Sequence, residues 1–473
     1  MLNPLTNDFV EKLSAMLPDK ALRLATPADV EEPRGRYIGL GTHVATPSTV
    51  EEVSKIITAC NAARIGVIPF GGGTGLVGGQ VAPQGPLPLI LSLERMTQIR
   101  ATYPQENVLI AEAGAILANV QSAAQAVDRL FPLSLASEGS CRIGGNLATN
   151  AGGLNVLRYG NTRDLCLGLE VVLPSGQIWN GLTRLRKDNT GFDLRNLMIG
   201  SEGALGVITA AALKLYPRPA ENGTGVFVVE DPTAALALLN LAQTIAPSEV
   251  SAFELIHKTG LEFLSEKLPD VRQPFENKPE WMVLIDLGTA RGRDPDALLE
   301  RLFEEGHAAG LISDGAIAQN EAQRRQFWEV RERIPQANKA IGSIVSHDVS
   351  LPLGSIAAFV TEGLARLAKL GDMRVNCFGH LGDGNLHFNA FPARGRDRHE
   401  YDAIRDDIQR CVHDLVSEMG GSISAEHGIG RLKAKDLAHY GDPGKLAAMR
   451  AIKTALDPNG IMNPGAVIGS LNV

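Results

Sequence analysis

The fifty glycines of this 473-residue chain are gathered rather than scattered, in 71–79, 139–153, 200–206, 379–384 and 420–430. Glycine lets a backbone come within contact distance of another group, or turn where a Cβ cannot follow. A chain that does this five times is organised around something its backbone must approach. The strand-like "VIPF" runs straight into "GGGTGLVGG". Consecutive glycines there allow N–H groups to converge on phosphate oxygens, and Thr74 adds a hydroxyl. No Gly-Lys-Ser/Thr follows, so this is not a Walker A loop. Gly73, Gly75 and Gly78 match Gly-x-Gly-x-x-Gly as a string, yet "GQVAPQGPLP" stands where that fingerprint must open a helix. A nicotinamide-type βαβ unit is not the expectation.

A second loop, "SEGSCRIGGNLATNAGG" (137–153), sets Ser140, Asn146, Thr149 and Asn150 among its glycines. Neutral donors and acceptors of this kind suit the edge of a flat polar ring. A third, "GSEGALGVIT" (200–209), again leads into a strand. Together the three point to an extended cofactor with a pyrophosphate and an aromatic ring.

Composition narrows the class. The chain is 44% hydrophobic and 21% charged with a net charge of −8, which argues against a nucleic-acid groove. Cys60, Cys141, Cys166, Cys377 and Cys411 stand singly, so neither a zinc ribbon nor an iron–sulfur cluster is expected. "MLNPLTNDFVEKLSAML" reads as an amphipathic helix rather than a signal peptide, and no run of 18 apolar residues follows. A cytoplasmic protein is expected.

Residues 1–217 read as an α+β unit of short strands. Within it "PSTVEEVSKIITACNAARIG" is a helix, with Ser48 and Glu51 as capping box and a stripe of Val50, Val53, Ile56, Ile57 and Cys60. "YPRPAENGTG" (216–225) marks a boundary. Strands "GVFVVE", "WMVLIDLG", "VSHDVSLP" and "MRVNCF" then alternate with helices near 232–246, 294–309, 320–333 and 355–369. Such alternation builds a sheet covered by helices.

The segment "NCFGHLGDGNLHFN" places His380 and His387 seven residues apart. Gly382 and Gly384 disfavour a helix, and one straight strand would send the rings to opposite faces. A tight turn through 382–385 would aim both at one spot; two exposed loop histidines are the alternative.

The order of these motifs resembles a known family. Residues 40–217, through "PFGGGTGLVGG", "IGGNLATNAGG" and "GSEGALGVIT", are similar to the flavin domain of the vanillyl-alcohol oxidase and p-cresol methylhydroxylase superfamily. Residues 218–467 resemble its D-lactate and D-2-hydroxyglutarate dehydrogenase branch, through "FWEVRERIPQA", "HDVSLP", "GHLGDGNLH", "SAEHGIG" and "DPNGIMNPG". The fold so implied is α+β: a two-subdomain FAD-binding domain (1–217), an α+β substrate or cap domain with an antiparallel sheet (218–420), and a short helical C-terminal segment (421–473) that completes the active site and returns to the FAD domain.

The resemblance implies non-covalent FAD, since the three loops carry no histidine or tyrosine to attach it. Its binding residues would be Pro69, Gly71, Gly72, Gly73, Thr74, Gly75 and Leu76 in the first loop. The second would supply Gly139, Ser140, Gly144, Gly145, Asn146, Thr149, Asn150 and Gly152. Glu202, Gly203, Gly206, Val207 and Ile208 follow in the third, and Asn463 near the end. His380, His387 and Glu426 would bind a divalent metal, with zinc expected and manganese or iron also suited to this donor set. His427 would take the substrate hydroxyl proton, while Arg331 and Asn389 would hold the substrate. The lysine common two residues before the Asp of this "HDVSLP" segment is Ser346 here, and a threonine frequent four residues after the arginine is Pro335.

The implied activity is oxidation of a D-2-hydroxy acid of the D-lactate, D-malate or D-2-hydroxyglutarate class, with hydride passing to flavin N5. Electrons would leave to a separate acceptor, an electron-transfer flavoprotein, quinone or cytochrome, which could bring the protein to a membrane surface. A homodimer is the expected assembly. The rivals are an oxidase using oxygen directly and a non-catalytic flavoprotein subunit of a glycolate oxidase-like complex.

Overall fold

The helix expected after Pro47 forms as Val50–Ala63 and buries Val53, Ile56, Ile57 and Cys60. Its cap lies one residue later than the capping-box reading. Thr49 is the N-cap and accepts from the Glu52 N–H, while the Glu52 carboxylate reaches past it to accept from the Ser48 N–H, so no reciprocal box closes. Glu52 is buried and Glu51 exposed.

The computed structural model describes residues 1–35 and 37–469, in two units. The first comprises Met1–Gly152, Gly160–Arg218 and Glu426–Val473; the second comprises Gly153–Tyr159 and Pro219–Ala425. No local signal announces that 153–159 belongs with the second unit. Arg158 fastens it there, donating to Gly288 O at 2.7 Å and Ser251 Oγ at 3.0 Å.

Among the described residues the first unit holds two larger sheets and a two-stranded pair, Tyr216–Pro217 with Arg129–Leu130. Val67–Phe70 and His43–Ala45 flank Leu89–Ser92 in parallel, and Leu22–Leu24 pairs antiparallel at one edge. An antiparallel sheet runs Ile99–Tyr103, Val108–Glu112, Val207–Lys214, Cys166–Val172, Ile178–Gly181. The segment 137–153 is not loop throughout, because Ile143–Thr149 is helical. Its glycines are there for clearance: a Cβ on Gly144 would stand 2.8 Å from the Ala113 Cβ.

The second unit is one seven-stranded antiparallel sheet. Its order is Asp314–Ile317, Glu221–Val229, Trp281–Thr289, Val250–His257, Met373–His380, Asn385–Pro392, Asp348–Ser350. The helices Lys258–Lys267 and Glu321–Ile341 pack Leu261, Phe263, Leu264, Val330 and Ile334 against Ile256, Met282, Phe378 and Phe391 of the sheet. Phe263 meets Phe391 edge-on at 4.8 Å, a geometry that adds about 0.5–1.5 kcal/mol beyond area burial. The helix expected to end near 333 runs on through Pro335 to Ile341. Burial of Ile334, Ala337 and Asn338 outweighs the one hydrogen bond that proline removes.

Candidate active site

A cavity in the first unit is walled by the three glycine loops. Pro69, 71–75, Gly144, Gly145, Asn146, Thr149, Glu202, Gly203, Gly206, Val207 and Ile208 all line it, together with His427. The loops touch through bare backbone: a Cβ on Gly72 would fall 2.4 Å from Ser140 O. None of the N–H groups of 71–75 has a backbone acceptor among the described residues, so the loop after the first strand is a row of unspent donors. The Asn146 Oδ1, buried beside them, likewise has no protein partner. Unspent donors for a phosphate and a buried acceptor for a ring N–H are what FAD requires.

Leu76, Gly139, Ser140, Asn150, Gly152 and Asn463 are not part of that wall. Asn150 is the left-handed cap of the helix Ile143–Thr149, and its Oδ1 accepts from the Arg163 N–H. Asn463 donates to Gly79 O at 3.0 Å and Glu202 O at 2.7 Å, tying the C-terminal stretch to two glycine loops. Glu202 has a further role. Its buried carboxylate accepts from the Ile429 and Gly430 N–H groups, both at 2.7 Å, and so fixes the loop that begins with His427. Burial pushes the Glu202 carboxyl up against the lowering effect of these two bonds. Arg431 secures the same loop by donating to Gly78 O and Gly79 O.

Cys141 and Arg142, which interrupt the second glycine run, also line the cavity. Burial pushes the Cys141 thiol up, which disfavours the thiolate that a covalent flavin bond would need. Denaturation should therefore release the yellow chromophore into the supernatant and leave a colourless polypeptide. Colour retained on the precipitate would overturn the non-covalent assignment and point to Cys141 or His427.

In the second unit, Met373–His380 and Asn385–Pro392 form a hairpin closed by a 3₁₀ turn over Leu381–Asp383 and by Gly384 at φ +85°. Only glycine fits there, because a Cβ would meet Leu351 O at 2.4 Å. The turn resolves the periodicity problem, and the His380 and His387 rings stand 5.8 Å apart. His380 is buried and its Nδ1 lies 2.6 Å from Glu254 Oε1, which leaves Nε2 as the ring nitrogen a metal could use. Glu254 is fully buried. Burial alone would raise its carboxyl, but the neighbouring Arg331 and His380 charges outweigh that and hold it down to about 2.

Arg331 is not a solvated helix charge. It is 5% exposed, its Nε donates to Glu254 Oε2, and its guanidinium lies over Phe378 at 4.9 Å. Its Nη1 and Nη2 have no protein partner among the described residues, so the end of the fork is open to a carboxylate. Asn389 is buried and its Oδ1 accepts from the His347 N–H, leaving the amide nitrogen as the atom able to reach a ligand. Ser346 donates its hydroxyl to Ser343 Oγ at 2.9 Å.

Glu426 and His427 open the last stretch of the first unit, with His427 Nε2 3.8 Å from Glu426 Oε1. Just before them in the chain, Ala425 donates its N–H to Asp348 O, next to the strand that carries His387. Glu254 is the site residue that sequence reasoning missed, since no strand was read over Val250–His257.

Comparisons with known proteins agree with this anatomy. The model for the C-terminal domain of FAD linked oxidases matches residues 218–467, and an FAD binding domain model matches 42–181. A probable D-2-hydroxyglutarate dehydrogenase of rice is 37% identical over 92% of this chain and 76% of its own length. A D-2-hydroxyglutarate dehydrogenase of Xanthomonas citri is 36% identical over 98% and 97%. A D-2-hydroxyglutarate–pyruvate transhydrogenase of Saccharomyces cerevisiae is 35% identical over 91% and 87%. Among solved structures, p-cresol methylhydroxylase with substrate bound aligns over 100% of both chains with TM-score 0.74 at 18% identity. Alkyldihydroxyacetonephosphate synthase aligns over 98% of this chain and 85% of its own with TM-score 0.73 at 17% identity. With matching models over both halves and relatives this similar along nearly its whole length, the chain belongs to the FAD-linked oxidase family of flavoprotein oxidoreductases.

Proposed function

We propose that this protein is an FAD-dependent dehydrogenase of D-2-hydroxy acids, of the D-lactate, D-malate and D-2-hydroxyglutarate class. The names of its relatives support the substrate class. The observation that carries the reading lies within the second unit. A two-imidazole hairpin and an open-ended guanidinium meet at one buried carboxylate, the fittings needed for a hydroxyl and an adjacent carboxylate.

His380, His387 and Glu426 would hold the divalent ion, with zinc preferred by this donor set. When bound, FAD supplies the hydride acceptor and the ion the Lewis acid that acidifies the hydroxyl. Arg331 grips a substrate carboxylate, and the Asn389 amide donates a second hydrogen bond. His427, at the wall of the flavin cavity, takes the hydroxyl proton. A separate carrier protein or quinone then reoxidises the enzyme. Among the described residues no helix is long and apolar enough to cross a membrane. The rice relative is named as mitochondrial; for this chain we propose the cytoplasm and a homodimer.

Ser346 sets the substrate range. A lysine there would offer a charge-assisted hydrogen bond of about 1.5–3 kcal/mol to a distal carboxylate, against about 1 for a neutral donor. The difference is roughly an order of magnitude in preference for the longer dicarboxylate. The test is anaerobic flavin bleaching and dye-coupled turnover across a panel of D- and L-2-hydroxy acids. D-lactate and D-malate should compete with D-2-hydroxyglutarate within about a hundredfold in kcat/KM, and Ser346→Lys should move the preference towards D-2-hydroxyglutarate about tenfold. L-enantiomers should not bleach the flavin. A panel in which no D-2-hydroxy acid bleaches it sinks the reading, and rapid turnover with oxygen alone would make the enzyme an oxidase.

A further inference from the structure

The strand Val250–His257 carries one acidic side chain, Glu254, and buries it completely. Burying a carboxylate costs several kcal/mol unless partners offset it. Its two oxygens serve different groups: Oε1 faces His380 Nδ1 and Oε2 accepts from Arg331 Nε. The strand register places Glu254 directly opposite His380.

We infer that Glu254 is a positioning residue that fixes His380 and Arg331 together, so that one side chain sets both metal affinity and the grip on the substrate carboxylate. The inference rests on the metal and substrate roles proposed above. Towards His380, a carboxylate on Nδ1–H selects the tautomer whose Nε2 carries the lone pair, and strengthens it as a ligand. Towards Arg331, capture of Nε alone orients the plane of the fork and leaves Nη1 and Nη2 for a bidentate pair. An amide cannot replace it. Glutamine has one acceptor oxygen and one donor nitrogen, so it sets an N–H either against Arg331 Nε–H or against His380 Nδ1, where the ring must give up its Nδ1 proton and the tautomer that frees Nε2.

Glu254→Gln should therefore weaken zinc binding by about 10–100-fold in chelator competition. It should also raise KM for D-2-hydroxyglutarate by about tenfold while FAD content is unchanged. Arg331→Lys should raise KM but leave zinc affinity within about threefold. A Glu254 with a purely structural role would lower the thermal midpoint and leave the zinc affinity of the folded variant at the wild-type value; that result overturns the inference. Should Glu254→Gln fail to fold, the wild-type protein decides. In ¹⁵N-histidine spectra of the zinc-loaded enzyme, with His380 assigned by its loss in His380→Gln, the ring proton should sit on Nδ1. A proton on Nε2 refutes the positioning role. Absence of zinc binding in the wild type would instead remove the metal reading itself, and this inference with it.

Discussion

His387→Ala is expected to lose its divalent ion and nearly all turnover while retaining a full complement of FAD. The two losses separate because the flavin cavity is built from the first unit, whereas His387 belongs to the hairpin of the second. A Lewis acid contributes several kcal/mol to deprotonating a hydroxyl, which at about 1.4 kcal/mol per tenfold is on the order of a thousandfold in rate. The hairpin itself should survive. The His387 ring packs on Phe378, but the turn is held by Gly384 and the strands by Phe388 and Phe391, which are fully buried. Metal analysis and the flavin absorbance of the same sample check this together. A variant that keeps stoichiometric metal excludes His387 as a ligand, and loss of FAD would mean that the substitution disturbs the fold.

What could be read from the chain alone follows from how local each signal is. Glycine loops are local: their residues, spacing and flanking strands all lie within about ten positions, so residues that line one cavity, Gly72 and Asn146 among them, could be grouped from the sequence. The paired histidines were legible for the same reason, since the Gly-Asp-Gly turn stands between them. Glu254 was not. Its meaning depends on Arg331 and His380, 77 and 126 residues away, and its strand merges in sequence with the helix Lys258–Lys267 that follows it. Propensity failed where packing overrode it. Pro335 sits inside a helix because neighbouring residues on both sides are buried, and Ile143–Thr149 is helical despite two glycines, of which Gly144 clears Ala113. The difference between a lining residue and one behind the wall was also hidden. Asn463 and Asn150 carry the right chemistry for a cofactor, but they spend it on Glu202 O, Gly79 O and Arg163 N.

His427→Gln should lower the rate of flavin reduction by about 10²–10⁴-fold, the range that a positioned general base supplies, and leave metal and FAD in place. The substitution is close to isosteric at the cavity wall. The loop around it should not move, because Glu202 holds the Ile429 and Gly430 N–H groups and Arg431 holds Gly78 O and Gly79 O, none of which involves the imidazole. Glutamine can donate and accept a hydrogen bond but cannot take up a proton at working pH. The defect should therefore lie in kcat with little change in KM. Stopped-flow reduction with D-2-hydroxyglutarate measures both. A variant that reduces its flavin within about tenfold of the wild-type rate assigns the proton to another acceptor. The buried Glu202 beneath the loop would not serve, since both of its oxygens are occupied by backbone donors.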